Sequence, residues 1–251
     1  MTRGLALPLL IAVLLGAGLW QPHDPDAVDI LARHSSASLS HPLGTDHLGR
    51  DLLSRLMVGG LRTGTVIVAV ASIGFAGGAF FGTLAALLGG WRETVILRAS
   101  QVFIMVPTLI VALTAAAVFG LSPLNAGTAL GLAAIGPLTL FTHSLTKRVL
   151  GQPFITAAIA LGVPPLGMLT RHLLPNTLPT LLTYIGNQSG SAAIAYASLA
   201  FIGLGADPSL PDWGGMLFEY RMFIFDNPML LIWPGLALGE TVFVLNRMFD
   251  R

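Results

Sequence analysis

The 251-residue chain contains no cysteine and is poor in charge, with 10% of its residues being Asp, Glu, Lys or Arg. Without thiols there is no disulfide framework, no thiolate metal site and no cysteine nucleophile. The scarcity of charge excludes more. An average soluble domain carries roughly 25% charged residues, and a water-soluble globule of this size could not cover its exterior with less than half of that. A soluble enzyme, a disordered tail and a nucleic-acid binder are therefore excluded. The formal net charge of +1 favours no partner, and no basic block suits a phosphate backbone. What is present is apolar: 54% hydrophobic residues, 29 glycines and a mean hydropathy of +0.77. This is the composition of an integral membrane protein.

Charges divide the chain into spans. Leu5 to Trp20 is uncharged and covers about 24 Å as a helix, slightly short of a ~30 Å hydrocarbon core. It reads as an uncleaved first span rather than a signal peptide, because no small-x-small site precedes Gln21. Thr63 to Trp91 is a second span. Ala99 to Thr146 is too long for one helix, and Gly120-Leu121-Ser122-Pro123 breaks it into spans near Leu97–Phe119 and Asn125–Leu145. A fifth is expected from Leu181 to Leu204 and a sixth from Met229 to Leu245, with Pro234-Gly235 near its start. Pro107 within the third span is read as a kink. With both termini cytoplasmic, the inner segments hold eight of the 13 Lys and Arg and the outer segments five. That bias favours this orientation.

Two segments are not ordinary connections. In the outer one, Leu48, Leu52, Leu53, Leu56 and Met57 recur at helical spacing with Arg50, Asp51, Ser54 and Arg55 opposite. The pattern predicts an amphipathic helix lying on the membrane or against other spans. The inner one, His143 to Thr180, contains an apolar short helix, a Gly-Val-Pro-Pro turn and a second short helix ending before Pro175. A loop carrying Ile155, Ile159, Leu161, Leu166, Met168 and Leu169 does not stay wet. Either it folds back onto the bundle or another protein covers it.

These segments also carry motifs. The outer one reads His41-Pro42-Leu43-Gly44-Thr45-Asp46-His47-Leu48-Gly49-Arg50-Asp51-Leu52-Leu53-Ser54-Arg55. The inner one reads Thr156-Ala157-Ala158-Ile159-Ala160-Leu161-Gly162, then Arg171-His172-Leu173-Leu174-Pro175-Asn176. Gly89-Gly90-Trp91, Val106-Pro107-Thr108-Leu109, Phe201-Ile202-Gly203-Leu204-Gly205, Pro211-Asp212-Trp213-Gly214 and Pro234-Gly235-Leu236-Ala237 follow in order. In this order the chain resembles the type I ABC-importer permeases of the dipeptide, oligopeptide and nickel transport group, with their GTDxxGRDxxSR signature and EAA loop. The resemblance runs from about His41 to Asn246.

The resemblance implies an all-α, six-helix polytopic transmembrane domain. Residues 1–62 would form the first helix and outer segment, and residues 63–251 the permease core with its coupling loop at 153–176. Such a permease pairs with a second, homologous permease. Two ATP-binding cassette ATPases use ATP and Mg²⁺ to drive it, and a periplasmic or lipid-anchored binding protein delivers a peptide or a nickel-type cargo. The chain itself would bind no cofactor and no metal, would contact membrane lipid, and would sit in a bacterial inner membrane. The EAA loop docks on an ATPase, so Thr156, Ala157, Ala158, Ala160, Leu161, Gly162, Pro164, His172 and Pro175 are the coupling candidates. Gly162 can end the first loop helix in a left-handed conformation, and Pro164 and Pro165 suit the first turn of the second. The family's leading Glu is Thr156 here and its usual Arg is Ile159. A lost exposed ion pair costs under about 1 kcal/mol, so docking through apolar contact survives. Relatives usually continue past Asn246 into a short basic tail, where this chain ends at Arg251.

Candidates for the substrate path are polar residues inside spans. Asn187, Gln188, Ser189 and Ser191 are either its lining or interhelical hydrogen-bond donors. Glu240 either meets a cationic substrate group or is neutral and bonded to Asn187 or Gln188. Glycines at i, i+4 spacing (Gly74, Gly78, Gly82; Gly186, Gly190) are read as helix-packing positions. His41 and His47 fall within the signature, and His23 and His34 in a polar segment, so no metal site is expected. No GxxxxGK[ST] occurs, and ATP must be bound by another chain. An intramembrane hydrolase is disfavoured: no His follows Ser189, and no HExxH is present. A secondary transporter or channel is the remaining rival, but no inverted repeat is found and Glu240 is the single intramembrane acid where several charges would be expected.

Overall fold

The structure, a computed structural model, describes residues 20–204 and 209–249, apart from the side chains of residues 248 and 249. The expected first span from Leu5 lies outside the described residues up to Trp20. Among the described residues the chain is helical, with one isolated bridge between Thr45 and Asp51 and no strand.

The first long helix, α1, runs from Leu52 to Leu88, 37 residues. At 1.5 Å per residue it is about 55 Å long, well beyond one hydrocarbon core. Asp51 caps its start by accepting the Ser54 N–H, and Gly89, at φ 66°, ends it. The amphipathic segment expected on the membrane or against other spans is thus no separate helix, and it packs against other elements rather than on the membrane surface. From Leu52 onward it forms the first turns of α1, and its polar side is buried rather than wet. α1 continues unbroken through residue 62.

The chain returns through α2 (Gly90–Met105) and α3 (Thr108–Phe119), which meet at 73°. A single kinked span was expected here, and the helix instead breaks outright. Pro107 has no N–H to continue the ladder and forces Val106 out of the helical region, to φ −88° and ψ 120°. The break at Gly120–Pro123 forms as the sequence predicts: Ser122 accepts the Asn125 N–H and Pro123 opens α4 (Pro123–Leu150).

α5 (Pro153–Ala160) stops at Gly162, φ 74°, and α6 (Pro165–Gly167) follows the Pro164 cap. The second loop helix was expected to end before Pro175. It runs on instead, through a π-helical turn at Met168–Leu173, into α7 (Leu174–Phe201). In that turn the Leu174 N–H reaches back to Leu169 O. The widened turn takes up the ring of Pro175, which would clash in an ordinary α-turn. α8 (Trp213–Tyr220) is short, and α9 (Met229–Phe249) closes the described chain.

α1 and α4 form the largest helix interface and run parallel: Gly127 lies against Val66 at one end and Gly82 against Thr142 at the other. A Cβ on Gly78 would fall 2.5 Å from the Leu138 Cβ, so the close crossing requires glycine there. Among the described residues, three helices (α1, α4, α9) are long and apolar enough to cross a membrane, or four with α2–α3 as one bent span.

Candidate substrate groove, coupling hairpin and charged knot

The first candidate site is a groove of about 350 Å³ at the α2–α3 break. Gln188, Ser191 and Ser198 face it from α7, Thr108 from the first residue of α3, and Val70 and Leu130 from α1 and α4. Spacings of three and seven residues put the three α7 side chains on one helical stripe. Of the predicted path residues, the structure brings Gln188 and Ser191 here. Asn187 lies one turn along the same stripe and is exposed beyond the groove. Ser189 turns inward and donates to Ile185 O at 2.8 Å, so it does not line the groove. Glu240 is exposed on α9 and makes no hydrogen bond or ion pair among the described residues, neither to Asn187 nor to Gln188. Thr108 and Ser198 were missed. Thr108 becomes a lining residue only because Pro107 breaks the helix, which composition does not reveal.

The second is the hairpin of α5 and α6, which stands on its own small core of Ile155, Ala158, Met168, Leu173 and Val149. Leu150, Val163 and Leu169 pack partly against that core. Other apolar residues point away: Ile159, Leu161 and Leu166 are 64%, 84% and 71% exposed. Thr156, Ala157, Ala160, Gly162, Pro164 and Pro175 are exposed as well, whereas Ala158 belongs to the underside. The His172 ring is tilted over Phe154, centroids 6.2 Å apart, and it caps no helix. Beside the hairpin, Glu93 of α2 accepts from Lys147 of α4 at 3.0 Å and pairs with His143 at 2.6 Å.

The third was not foreseen as a unit. At the other end of α1, the side chains of Asp46, Arg50, Arg55, Glu219 and Tyr220 form a buried knot. Arg50 bonds Asp46 and Glu219 together. Arg55 donates to Tyr220 Oη and Glu219 Oε2, both at 3.0 Å, and Tyr220 donates to Asp46 Oδ2 at 3.0 Å. Burial opposes the Asp46 carboxylate, yet Arg50, the N–H groups of Leu48 and Arg50, and Arg55 together hold it below its ordinary value. Burial pushes the Tyr220 phenol up, keeping it a donor. Gly49, at φ 78°, explains the glycine of the signature: a Cβ there would lie 1.7 Å from Asp29 O. The Trp213 indole donates to Leu56 O at 2.9 Å and ties α8 to α1, while Asp212 caps α8 by accepting the Gly215 N–H at 2.9 Å. Asp46, Arg50 and Arg55 were legible as a motif. Glu219 and Tyr220, more than 160 residues away, carried no local signal.

A bundle of apolar helices with a broken span, a mostly apolar groove that carries Thr108, Gln188, Ser191 and Ser198, and an apolar hairpin at one end suits a membrane-embedded transporter subunit. The chain belongs to the family of binding-protein-dependent transport system inner membrane components, whose profile it matches over residues 78–251. It is 31% identical to the "Probable D,D-dipeptide transport system permease protein DdpC" of Escherichia coli K12, across 99% of this chain and 84% of that one. It is 33% identical to the "Glutathione transport system permease protein GsiD" of Escherichia coli O157:H7, across 100% of this chain and 83% of that one. In fold it is similar to an inward-facing structure of the MetNI methionine ABC transporter, with a TM-score of 0.57 and 18% identity. The likeness covers 79% of this chain and 94% of that one. It is thus an ABC-importer permease with the type I transmembrane fold.

Proposed function

We propose that this chain is one half of the translocation pathway of an ATP-driven importer of short peptides. The groove of Thr108, Gln188, Ser191 and Ser198 is open on one side, and a second, homologous permease would close it into a path. One of two ATPase subunits would dock on the α5–α6 hairpin and the other on the partner permease, and the pair would hydrolyse ATP with Mg²⁺, since this sequence has no phosphate-binding loop of its own. A substrate-binding protein would deliver cargo at the opposite end, beside the charged knot. In this reading the hairpin is cytoplasmic, the knot is extracytoplasmic, and both termini are cytoplasmic. The dipeptide and glutathione names of the relatives support a peptide cargo.

The observation that carries the reading is the hairpin. A segment with its own core that still exposes Ile159, Leu161 and Leu166 is built to be covered by a partner. Because π-helical α6–α7 is continuous, a push on the hairpin is transmitted along α7 to Gln188 and Ser191 without an intervening loop. Leu161→Cys would give the chain a single thiol. It is expected to crosslink to a co-expressed ATPase subunit in a way that changes on adding ATP. The buried Ala158→Cys is expected to crosslink poorly. No crosslink from Leu161→Cys or Ala157→Cys in a folded, membrane-inserted chain would overturn the coupling role.

A further inference from the structure

Four of the six histidines lie in the segment between Gln21 and Asp51. With neighbouring carboxylates they form two clusters whose possible ligand atoms lie within 4.8 Å of one another: Asp46, His47 and Glu219, and His23, His41 and Asp51. The first is already filled. The Arg50 guanidinium bonds both of its carboxylates, and Arg55 reinforces it, so a metal ion would have to displace a buried cation. The second differs in each of these respects.

Asp51 is buried and has no Lys or Arg as ion-pair partner among the described residues; its charged-group neighbours are the two imidazoles. Its Oδ2 is engaged with the α1 cap, accepting from Ser54 N–H at 2.8 Å and Ser54 Oγ at 2.7 Å. Its Oδ1 faces His41 Nδ1 at 3.0 Å, and His23 Nδ1 is 3.9 Å from Oδ2. The two rings are tilted by 33° to one another, with centroids 4.7 Å apart. Two donors ~2.1 Å from one ion, roughly at right angles, are themselves about 3 Å apart, so the His41–Asp51 spacing suits chelation as well as a hydrogen bond. The His23 N–H donates to Ser54 Oγ at 3.1 Å, which ties that histidine to the same helix start. Both histidine side chains remain partly open to water, 40% and 25% exposed, so an ion can reach them.

We propose that His23, His41 and Asp51 form a binding site for a divalent transition-metal ion of the zinc and nickel class. Two imidazoles and one carboxylate are the donor set these ions favour, and water would complete the coordination. Binding puts the ion in place of the hydrogen between His41 Nδ1 and Asp51, and the neutral imidazole carries its proton on Nε2. It fastens the chain around His23 to the first turn of α1. The site stands apart from the groove, so the inference does not depend on which cargo is carried.

The test is titration of the purified transporter, isolated without a histidine tag, with Zn²⁺ alone and with Ni²⁺ alone. One ion per copy of this chain is expected. Affinity should fall roughly tenfold or more in His23→Gln and in His41→Gln, and stay unchanged in His34→Gln, whose ring is outside the cluster. His23 is half-exposed, so His23→Gln leaves the fold intact, and an unchanged unfolding transition in the absence of metal checks that. No ion retained by the wild type overturns the proposal. Wild-type affinity in both cluster variants also overturns it, as does an equal loss in His34→Gln.

Discussion

At the scale of single residues, the strongest constraint is the pair of guanidinium groups buried at the start of α1. Arg55 is 1% exposed and faces Glu219, Tyr220 and the Pro25 carbonyl. Removing one partner of a buried ion pair costs about 3–5 kcal/mol, because the other is left charged and unpaired. Here Arg50 still serves Glu219, which places Arg55→Ala near the lower end, about 3 kcal/mol. Arg55→Lys should recover little, since one ammonium cannot reach Glu219 and Tyr220 in the fork geometry of a guanidinium. Chemical unfolding in detergent measures both, and a loss under about 1 kcal/mol for Arg55→Ala would show the knot to be ornamental to stability. This is also the scale at which the sequence was least legible. Gln188 and Ser191 were found because polar residues are rare inside spans. Glu219 and Tyr220 were not, because their partners are fixed by the tertiary fold and no spacing rule joins them.

At the scale of elements, sequence reading succeeded wherever glycine and proline act locally. The end at Gly162, the Ser122–Pro123 start and the Pro164–Pro165 turn all follow from backbone preferences of one or two residues. It failed where the outcome depended on a neighbour or on a less common helix. Pro107 breaks α2 from α3 instead of kinking them, and Pro175 is absorbed by a π-turn instead of ending a helix. The polar side of Leu48–Met57 faces counter-charges, so what resembled a membrane-surface helix is the root of α1. The small-residue stripe of α1 was legible and has a sharp consequence. Gly78→Val should disrupt the α1–α4 crossing by about 3 kcal/mol or more, since the added atoms meet the Leu138 side chain 2.5 Å from its root. Gly239→Val on α9, where a Cβ would meet nothing within 4 Å, should be tolerated. Folded yield after solubilisation separates the two, and Leu138→Ala should partly rescue Gly78→Val. Equal yields for both valine variants would refute the close-crossing account.

At the scale of the whole molecule, α1 sets the layout. One continuous helix of 37 residues carries the charged knot at its first turns and ends beside the α2–α4 pairing of Glu93 with Lys147, the end from which the hairpin springs. Since α1 is longer than a hydrocarbon core is thick, the knot and the hairpin must emerge on opposite sides of the membrane. That separation is what a coupled importer requires: cargo delivered at one end, ATP hydrolysed at the other, and α7 linking the hairpin to the groove between them. The excess of Lys and Arg on the hairpin side favours the proposed cytoplasmic placement of that side. The absence of cysteine makes the assignment directly measurable. Leu39, 105% exposed in the knot-side segment, and Leu161, 84% exposed on the hairpin, can each be made the only thiol. In spheroplasts, a membrane-impermeant maleimide should label Leu39→Cys at once and Leu161→Cys only after permeabilisation. The reverse order would invert the orientation and place the hairpin where no ATPase could reach it. Labelling of both from outside would mean that α1 does not cross the membrane, and the coupling path along α7 would fall with it.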